Sequence, residues 1–245
     1  MQTFSADLHV HTLLSPCGDL EMSPANIVET AARKQIDILG ITDHNSTKHG
    51  PLIKRIAEKY GIFVLCGAEV TTKEEIHCLT FFENIDKLTL FQQYLDAHMG
   101  DVKNNTQKFG YQVVLDENEM IVEEVDKLLI AAIDQNIDEV EEMAHSLGGL
   151  FIPAHIDRPA YSLLGQLGFL PPGLKVDALE ISKNTSEAEL LNVYPDLAGY
   201  TFIQSSDAHF PEQIGARVTR FELKTRSFEE ISMALKGADG RRVVK

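Results

Sequence analysis

The sequence predicts one α/β domain spanning residues 1–245, with a closed or distorted barrel favoured over an open sheet. Its 245 residues are close to the ~250 that an α/β barrel typically needs. Short apolar runs alternate with helical patterns and give six or seven strand–helix units. Histidine and acidic residues fall at the carboxyl ends of the predicted strands, and this rim carries the active site in α/β barrels.

The first half of the chain contains four predicted strands, at 4–10, 36–42, 62–70 and 76–82. Ser23 and Pro24 predict a helix start, since serine caps a helix and proline suits its first turn. A second helix should end at Gly61, and residues 88–95 suggest a third. His9, Asp43, Glu69 and His77 lie at ends of these strands, which gives the pattern its functional interest.

The second half is predicted to hold five more strands, at 111–115, 150–155, 177–182, 201–206 and 217–223. A helix is expected over 119–130, another over 137–147 before Gly148, and a short one over 188–193. Ser227 is expected to cap a final helix. Strands alternating with helices imply parallel pairing for most of the sheet.

The composition excludes some classes of partner. The chain has 22 basic and 37 acidic residues, a net charge of −15 and a pI near 5.0, so a broad surface for extended nucleic acid is not expected. A small anionic substrate held by metal ions remains compatible with this charge. No apolar run of about 18 residues predicts a membrane span. The start lacks signal-peptide features and the three cysteines form no CxxC pair, so a cytoplasmic setting is expected.

Polar residues at the strand ends suggest metal ligands. His9 and His11 are two apart in a strand, so both side chains share one face and can reach one ion; Asp7 shares that face and is a candidate to orient an imidazole. The other candidate ligands, in chain order, are His44, Glu69, His77, His155, Asp207 and His209, and Asp43 is a candidate partner that orients His44. Taken singly, Asp43 also fits a turn, Glu69 a rim salt bridge and His77 a half-buried histidine.

Six histidines and two carboxylates on the strand ends of one barrel are poorly explained by chance. Imidazole and carboxylate together suit Zn²⁺, Fe²⁺ or Mn²⁺. The number of donors exceeds what one ion needs, so the sequence predicts two or three divalent ions. Clustered carboxylates without ions would repel one another and favour the neutral acid.

The ordered set of HxH, TDH, a Glu followed by a His, a late AH and a final SDxH resembles the PHP family, named for polymerase and histidinol phosphatase. The resemblance covers essentially the whole chain. It implies a distorted seven-stranded (βα)7 barrel of the TIM type, a trinuclear metal centre and phosphoester hydrolysis. By position, the first ion would be held by His9, His11, Glu69 and Asp207. Glu69 would bridge to a second ion on His77 and His155, and His44 and His209 would hold the third.

The third ion normally has one more ligand, a histidine or aspartate shortly after HxH. Here the segment 15–24 is a few residues longer than in many relatives. Counting back from Ser23 and Pro24 places Asp19 at the acidic position, and Asp19 is preferred over Cys17. A thiol would be a soft ligand in an otherwise hard set, and Cys17 is also compatible with packing.

Residues that bind substrate are less clearly marked. Arg158, three positions after His155, and Lys183 are candidate phosphate anchors. Arginine suits this role because its guanidinium group binds phosphate in a bidentate manner. Tyr161, Phe169 and Phe210 fit either base stacking or packing. The remaining histidines, His49, His98 and His145, are expected to be structural.

The function favoured by these patterns is a metal-dependent phosphoesterase that hydrolyses a phosphomonoester or small phosphodiester, a nucleotide or a metabolite, with metal-activated water. His44 and His209 are candidates to assist proton transfer. One alternative is a stand-alone exonuclease-like module acting on short oligonucleotides. Another is a metal-binding module without turnover, and a C–N hydrolase also uses comparable barrels. The oligomeric state is left open.

Overall fold

The computed structural model describes residues 1–244. The strands are β1 Gln2–Val10, β2 Ile38–Ile41, β3 Phe63–Thr71, β4 His77–Phe82, β5 Val113–Leu115, β6 Ile121–Glu124, β7 Leu150–Pro153, β8 Leu179–Glu180, β9 Phe202–Ile203, β10 Thr219–Leu223 and β11 Arg242–Val244. The helices are α1 Pro24–Arg33, α2 Gly50–Glu58, α3 Ile85–His98, α4 Thr106–Phe109, α5 Ile137–Ser146, α6 Leu163–Gln166, α7 Glu187–Val193 and α8 Phe228–Leu235.

Seven strands form one curled sheet in the order β11-β10-β1-β2-β3-β4-β7. This arrangement confirms the α/β class, but within this sheet the expected parallel pairing holds only for β1, β2 and β3. Strand β4 is antiparallel to both β3 and β7, and β10 is antiparallel to β1. For β3 and β4 the reason is the connection 72–76, which is too short for the crossover that parallel neighbours require.

Strands β8 and β9 pair in parallel with each other and lie between β7 and β1. The Ile156 N–H, just after β7, donates to the Glu180 carbonyl at 2.8 Å. The Ala208 N–H, beyond β9, donates to the His9 carbonyl at 3.2 Å. The carboxyl ends of β7, β8, β9 and β1 therefore lie side by side.

Apolar side chains pack on both faces of the sheet. One cluster lies between the sheet and the helices and includes Ile27, Ile53 and Val140. A second cluster takes one or more residues from most of the strands and includes Leu8, Ile38, Leu65, Leu79, Ile152 and Ile203. Since residues from so many strands meet, the sheet curls around this second cluster, as a barrel sheet does.

The predicted helix starts at Ser23 and Ser227 are confirmed. Both serines are N-caps, and the Ser227 hydroxyl accepts a hydrogen bond from the Glu230 N–H at 3.2 Å. Helix α5 begins with a capping box of Asn136 and Glu139. Among the described residues, none of the helices combines the length and apolarity needed to span a bilayer.

The helix expected over 119–130 is wrong. Residues Ile121–Glu124 form strand β6, which pairs antiparallel with β5. The Asp116 carboxylate accepts hydrogen bonds from the Asn118 and Met120 N–H groups, so it closes a tight turn where the helix was expected to start. Side chains of such turns compete with helical hydrogen bonds, and β-branched Ile121 and Val122 suit a strand.

Candidate metal centre

The predicted ligands meet at one rim of the curled sheet. His9 lies near the end of β1 and His11 directly follows it, His44 follows β2, and His155 follows β7. His77 opens β4 rather than closing it, but β4 runs antiparallel to β3, so its first residue reaches the same rim. The rings of His9 and His155 lie 5.7 Å apart between centroids.

The buried carboxylate of Glu69 is the centre of this cluster. Its side chain is 1% exposed, and each of five imidazoles places a nitrogen within 2.9–3.3 Å of one of its oxygens. The five belong to His9, His11, His44, His77 and His155. Both carboxylate oxygens are used, so Glu69 has the geometry of a bridging ligand.

Asp207 supplies a second carboxylate beside the first. Its Oδ1 atom lies 3.4 Å from the Nε2 atoms of both His9 and His11 and 3.6 Å from Nδ1 of His209. The His209 ring stacks on the His11 ring at 4.3 Å. On its outer side, Asp207 Oδ2 accepts a hydrogen bond of 2.5 Å from the Arg158 guanidinium.

Further groups fix the imidazoles of the HxH pair. His9 Nδ1 lies 2.9 Å from Glu180 Oε2, and His11 Nδ1 lies 3.0 Å from the Ser15 hydroxyl, which donates to Asp43 at 2.7 Å. Such contacts orient ligand imidazoles. Sequence reasoning missed Glu180 and Ser15. The signal for Glu180 was an acidic residue inside the apolar strand predicted at 177–182.

Asp7 and Asp43 hold loops. Asp7 accepts hydrogen bonds from Ser206 and from the Gly215 N–H, so it fixes the loop that carries Asp207. Burial raises the pKa of Asp7 to about 6, against the lowering effect of those hydrogen bonds. Asp43 binds Thr12 and Ser15, and so orients His11 through Ser15.

The charges of the cluster shift the pKa values in opposite directions. Burial alone would raise the pKa of Glu69 and Asp207, but the neighbouring imidazoles outweigh it and hold both well below their usual range. Burial alone would lower the pKa of His11, but hydrogen bonds to Asp207 and Glu69 raise it to about 9. The pKa of His9 also rises, because Glu69, Glu180 and Asp207 surround it.

Histidines on the other side of the cluster behave differently. Burial lowers the pKa of His44 well below its usual range, and burial with the His11 charge lowers that of His209 to about 4. Burial also lowers the pKa of His155. Neutral imidazoles keep the lone pair that a metal ion needs.

Two residues of the cluster have a backbone conformation that non-glycine residues rarely adopt. The φ angles are +31° at His155 and +51° at Asp207. Such backbone conformations cost free energy and concentrate at functional sites, which agrees with the location of both residues in the cluster.

The donor set fits divalent metal ions. Three groups have ligand atoms that all lie within 4.8 Å of one another, namely His9, His11 and Glu69; His44, Glu69 and His77; and His11, Cys17, His44 and His209. Nitrogens of His44, His77 and His155 are buried without a hydrogen bond. Unpaired buried donors beside two carboxylates match sites for Zn²⁺, Fe²⁺ or Mn²⁺.

The structure does not bring Asp19 into any of these three groups of described residues. Asp19 Oδ1 instead accepts a hydrogen bond of 2.8 Å from the Glu21 N–H. Cys17 is in the group with His11, His44 and His209. Burial and the charges of Glu69 and Asp207 raise the pKa of its thiol.

Of the candidate substrate residues, two lie at the cluster. Arg158 binds Asp207, and the Tyr161 ring stacks on His77 at 5.0 Å. Phe169 and Phe210 are about half exposed. Lys183 lines a groove of about 640 Å³ whose lining includes Arg217 and Arg220 but none of the predicted ligands.

The histidines expected to be structural lie outside the three metal-binding groups and have other partners. His49 is buried, contacts the Thr12 hydroxyl at 2.7 Å and accepts a hydrogen bond of 3.0 Å from the Leu115 N–H. His98 pairs with Asp134 at 2.7 Å. His145 lies between two carboxylates on α5 and near β8.

Comparison with known proteins gives concordant results. The PHP domain model matches residues 7–167, and the PHP-associated model matches residues 196–239. The uncharacterized protein YqxK of Bacillus subtilis is 25% identical over 100% of this chain and 65% of its own length. Endonuclease Q of Pyrococcus furiosus has a TM-score of 0.73 at 23% identity, over 99% of this chain and 58% of its own.

A protein from Bifidobacterium adolescentis assigned to the metal-dependent phosphoesterases has a TM-score of 0.61 at 16% identity, over 95% of this chain and 96% of its own. The chain thus spans less than two thirds of YqxK and of endonuclease Q. Since the PHP domain model alone covers more than half of the chain, the chain belongs to the PHP family.

Proposed function

We propose that this protein is a metal-dependent phosphoesterase that hydrolyses a phosphomonoester or a small phosphodiester at a trinuclear centre. The observation that carries the proposal is the single buried carboxylate of Glu69 in contact with five imidazoles. Buried charge is costly unless it is compensated. A protein gains little stability from such a cluster unless it binds cations there.

The residues are assigned as the sequence order implies. His9, His11, Glu69 and Asp207 would hold one ion, and Glu69 would also serve a second ion held by His77 and His155. His44 and His209 would belong to a third. When bound, these ions supply an activated water and neutralise charge on the phosphoryl oxygens.

The other residues bind and orient the substrate. Arg158 is more than one third exposed in its side chain and stands beside Asp207, so its guanidinium can hold a phosphate oxygen at the rim. Tyr161, stacked on His77, lies beside the cluster and is placed to contact a bound substrate. His44 and His209 are neutral at pH 7, because their pKa values are lowered, and they suit ligation or acceptance of a proton better than its donation.

Hydrolysis of a DNA strand at a lesion is a second candidate function. The structure of endonuclease Q with a duplex that carries an abasic lesion at its active site has a TM-score of 0.73 with this chain. The net charge of −15 opposes a long duplex contact, so a small substrate is proposed first.

The test is a substrate panel with the full chain loaded with Zn²⁺, Mn²⁺ or Fe²⁺. The panel holds phosphomonoesters including histidinol phosphate, dinucleotides, short oligonucleotides and an abasic duplex. The proposal expects turnover of a monoester or dinucleotide that chelation abolishes and metal restores. Turnover of the abasic duplex alone would favour the second candidate, and no turnover with any loaded ion would contradict both.

A further inference from the structure

The segment after the HxH pair folds into a tight turn that fixes the side chains of residues 17 and 19. The Gly18 N–H donates to the Ser15 carbonyl at 2.8 Å, and the Asp19 N–H donates to the His209 carbonyl at 2.9 Å. A Cβ atom at residue 18 would lie 2.2 Å from the Thr12 carbonyl oxygen. Only glycine permits this approach to Thr12, and the hydrogen bond from the Asp19 N–H holds the turn against His209.

This turn sends the two candidate ligands to different places. The Cys17 sulfur lies within 4.8 Å of ligand nitrogens of His11, His44 and His209. The Asp19 carboxylate is used within the turn, where it accepts the Glu21 N–H. A carboxylate engaged with a neighbouring backbone N–H stabilises a local turn.

A second observation points to an ion at this corner. His44 is 3% exposed, and its Nδ1 atom makes no hydrogen bond, although Glu69 Oε2 lies 3.2 Å away. Buried nitrogens are normally paired. The four members of this group include no carboxylate of their own, so a thiolate is the anionic donor available within it.

We propose that Cys17, as a thiolate, binds the third ion together with His44 and His209, in the position that a histidine or aspartate takes in related proteins. This inference rests on the proposed metal centre and deepens it. The thiol proton leaves to solvent as the sulfur–metal bond forms. A sulfur ligand favours Zn²⁺ or Fe²⁺ over Mn²⁺ at this corner, whereas the donors around Glu69 are nitrogen and oxygen only.

The test uses spectroscopy of the full chain without substrate. Loading with Co²⁺ should give a thiolate-to-cobalt charge-transfer absorption in the near ultraviolet. Loading with Zn²⁺ should give a zinc–sulfur distance of about 2.3 Å by X-ray absorption. If wild-type protein loaded with three ions per chain shows neither signal, the inference is overturned without any variant.

Variants then assign the signal to one residue. Cys17→Ser should abolish the sulfur signal and lose one ion in three, while the two ions around Glu69 stay and report an intact fold. Cys17→Asp should keep the third ion and lose the signal. Asp19→Asn and Cys66→Ala, the latter removing a buried thiol outside the three metal-binding groups, should keep both the ion and the signal. Loss of an ion in Asp19→Asn, with Cys17→Ser unaffected, would reverse the assignment.

The outcome is separable from that of the hydrolysis assay. A sulfur signal in a protein that hydrolyses no phosphoester would support the ligand and contradict the function. If protein with three bound ions hydrolyses a phosphoester in a chelator-sensitive way but lacks the sulfur signal, the function is supported and Cys17 ligation is contradicted.

Discussion

The two ends of the histidine cluster differ in charge. At one end, here called the carboxylate end, Glu69 and Asp207 face His9 and His11, and the pKa values of both histidines are raised. At the other end, the thiol corner of Cys17, His44 and His209, burial and neighbouring charged imidazoles lower the pKa values of both histidines, although His44 also contacts Glu69 and His209 lies 3.6 Å from Asp207. The first end attracts any cation, a proton included. The second offers neutral lone pairs and depends on a metal that prefers nitrogen and sulfur.

This difference predicts that the two ends fill separately. Buried carboxylates repel each other unless a cation lies between them, so ions at the carboxylate end should bind more tightly and contribute more to stability. The thiol corner should lose its ion first during chelation.

The largest effect is expected for Glu69→Gln. The amide keeps the size of the side chain but removes the charge that five imidazoles face, so at least two ions should be lost. Hydrolysis should fall by about three orders of magnitude, the upper scale for loss of one electrostatic contribution to the transition state. Elemental analysis and rate measurements check this, with Glu75→Gln on the same hairpin as the exposed control. Full metal content in Glu69→Gln would contradict the claim that the charge of Glu69 holds ions at the carboxylate end.

Chelation should lower the thermal stability of the wild-type protein. Ions present at about a thousandfold excess over Kd stabilise the native state by about 4 kcal/mol. For a chain of this size each kcal/mol shifts Tm by roughly 2–4 °C, so a fall of about 10 °C is expected by calorimetry. Glu69→Gln should show a much smaller fall. An unchanged Tm in chelated wild-type protein would mean that no ion is bound firmly at either end.

Glu180→Gln tests whether the two ends are independent. Glu180 contacts His9 Nδ1 and accepts a hydrogen bond from the backbone N–H of His155. Loss of a group that orients a ligand imidazole typically weakens metal binding 10- to 100-fold. Competition titration should show weaker binding at the carboxylate end and an unchanged ion at the thiol corner. Glu222→Gln, at a surface ion pair with Arg242, is the control. Equal weakening of every ion would show that the ends are coupled.

The rim position of candidate ligands such as His44 and His155 could be predicted from the sequence, because both follow a short apolar run and the fold gathers strand ends at one rim. Glu180 could not be assigned, since nothing local shows that its carboxylate meets His9 from a strand 171 residues away.

The choice between Cys17 and Asp19 also depends on tertiary structure. The contact of Gly18 with the Thr12 carbonyl and the hydrogen bond from Asp19 to His209 decide which side chain faces the cluster. Counting along the sequence favoured Asp19 because it assumed a fixed offset from the first helix. The hairpin of β5 and β6 was missed for a similar reason, since pairing with β5 overrides a local helical pattern.

Arg158→Ala should weaken substrate binding and leave the ions in place. A charge-assisted hydrogen bond contributes about 1.5–3 kcal/mol, or roughly 10- to 100-fold in kcat/KM. The fall in kcat/KM should come mainly from a higher KM if the contact exists in both the ground state and the transition state. Arg158→Lys should restore only part of the lost kcat/KM, because a point charge does not replace a planar guanidinium. Wild-type kinetics in Arg158→Ala, or loss of an ion, would assign Arg158 to its ion pair with Asp207 alone.

The smallest effect concerns His145, which lies between carboxylates as His9 does but outside the cluster. Its Nδ1 is 2.5 Å from Glu141 and its Nε2 is 2.9 Å from Asp177. The hydrogen bond to Asp177 chiefly raises its pKa, and the contact with Glu141 adds to this against burial. A raised pKa stabilises the fold fully below the unfolded value of about 6.5, and the gain is lost as pH rises through the folded value.

His145→Gln should therefore cost more stability at about pH 5.5 than at about pH 9, as measured by urea unfolding of chelated protein. The difference should be at most about 1 kcal/mol, because the pair is partly exposed to solvent. A cost that is constant, or larger at high pH, would show that His145 contributes by packing. A cost with the expected sign would show how two carboxylates stabilise a protonated imidazole outside the metal-binding groups.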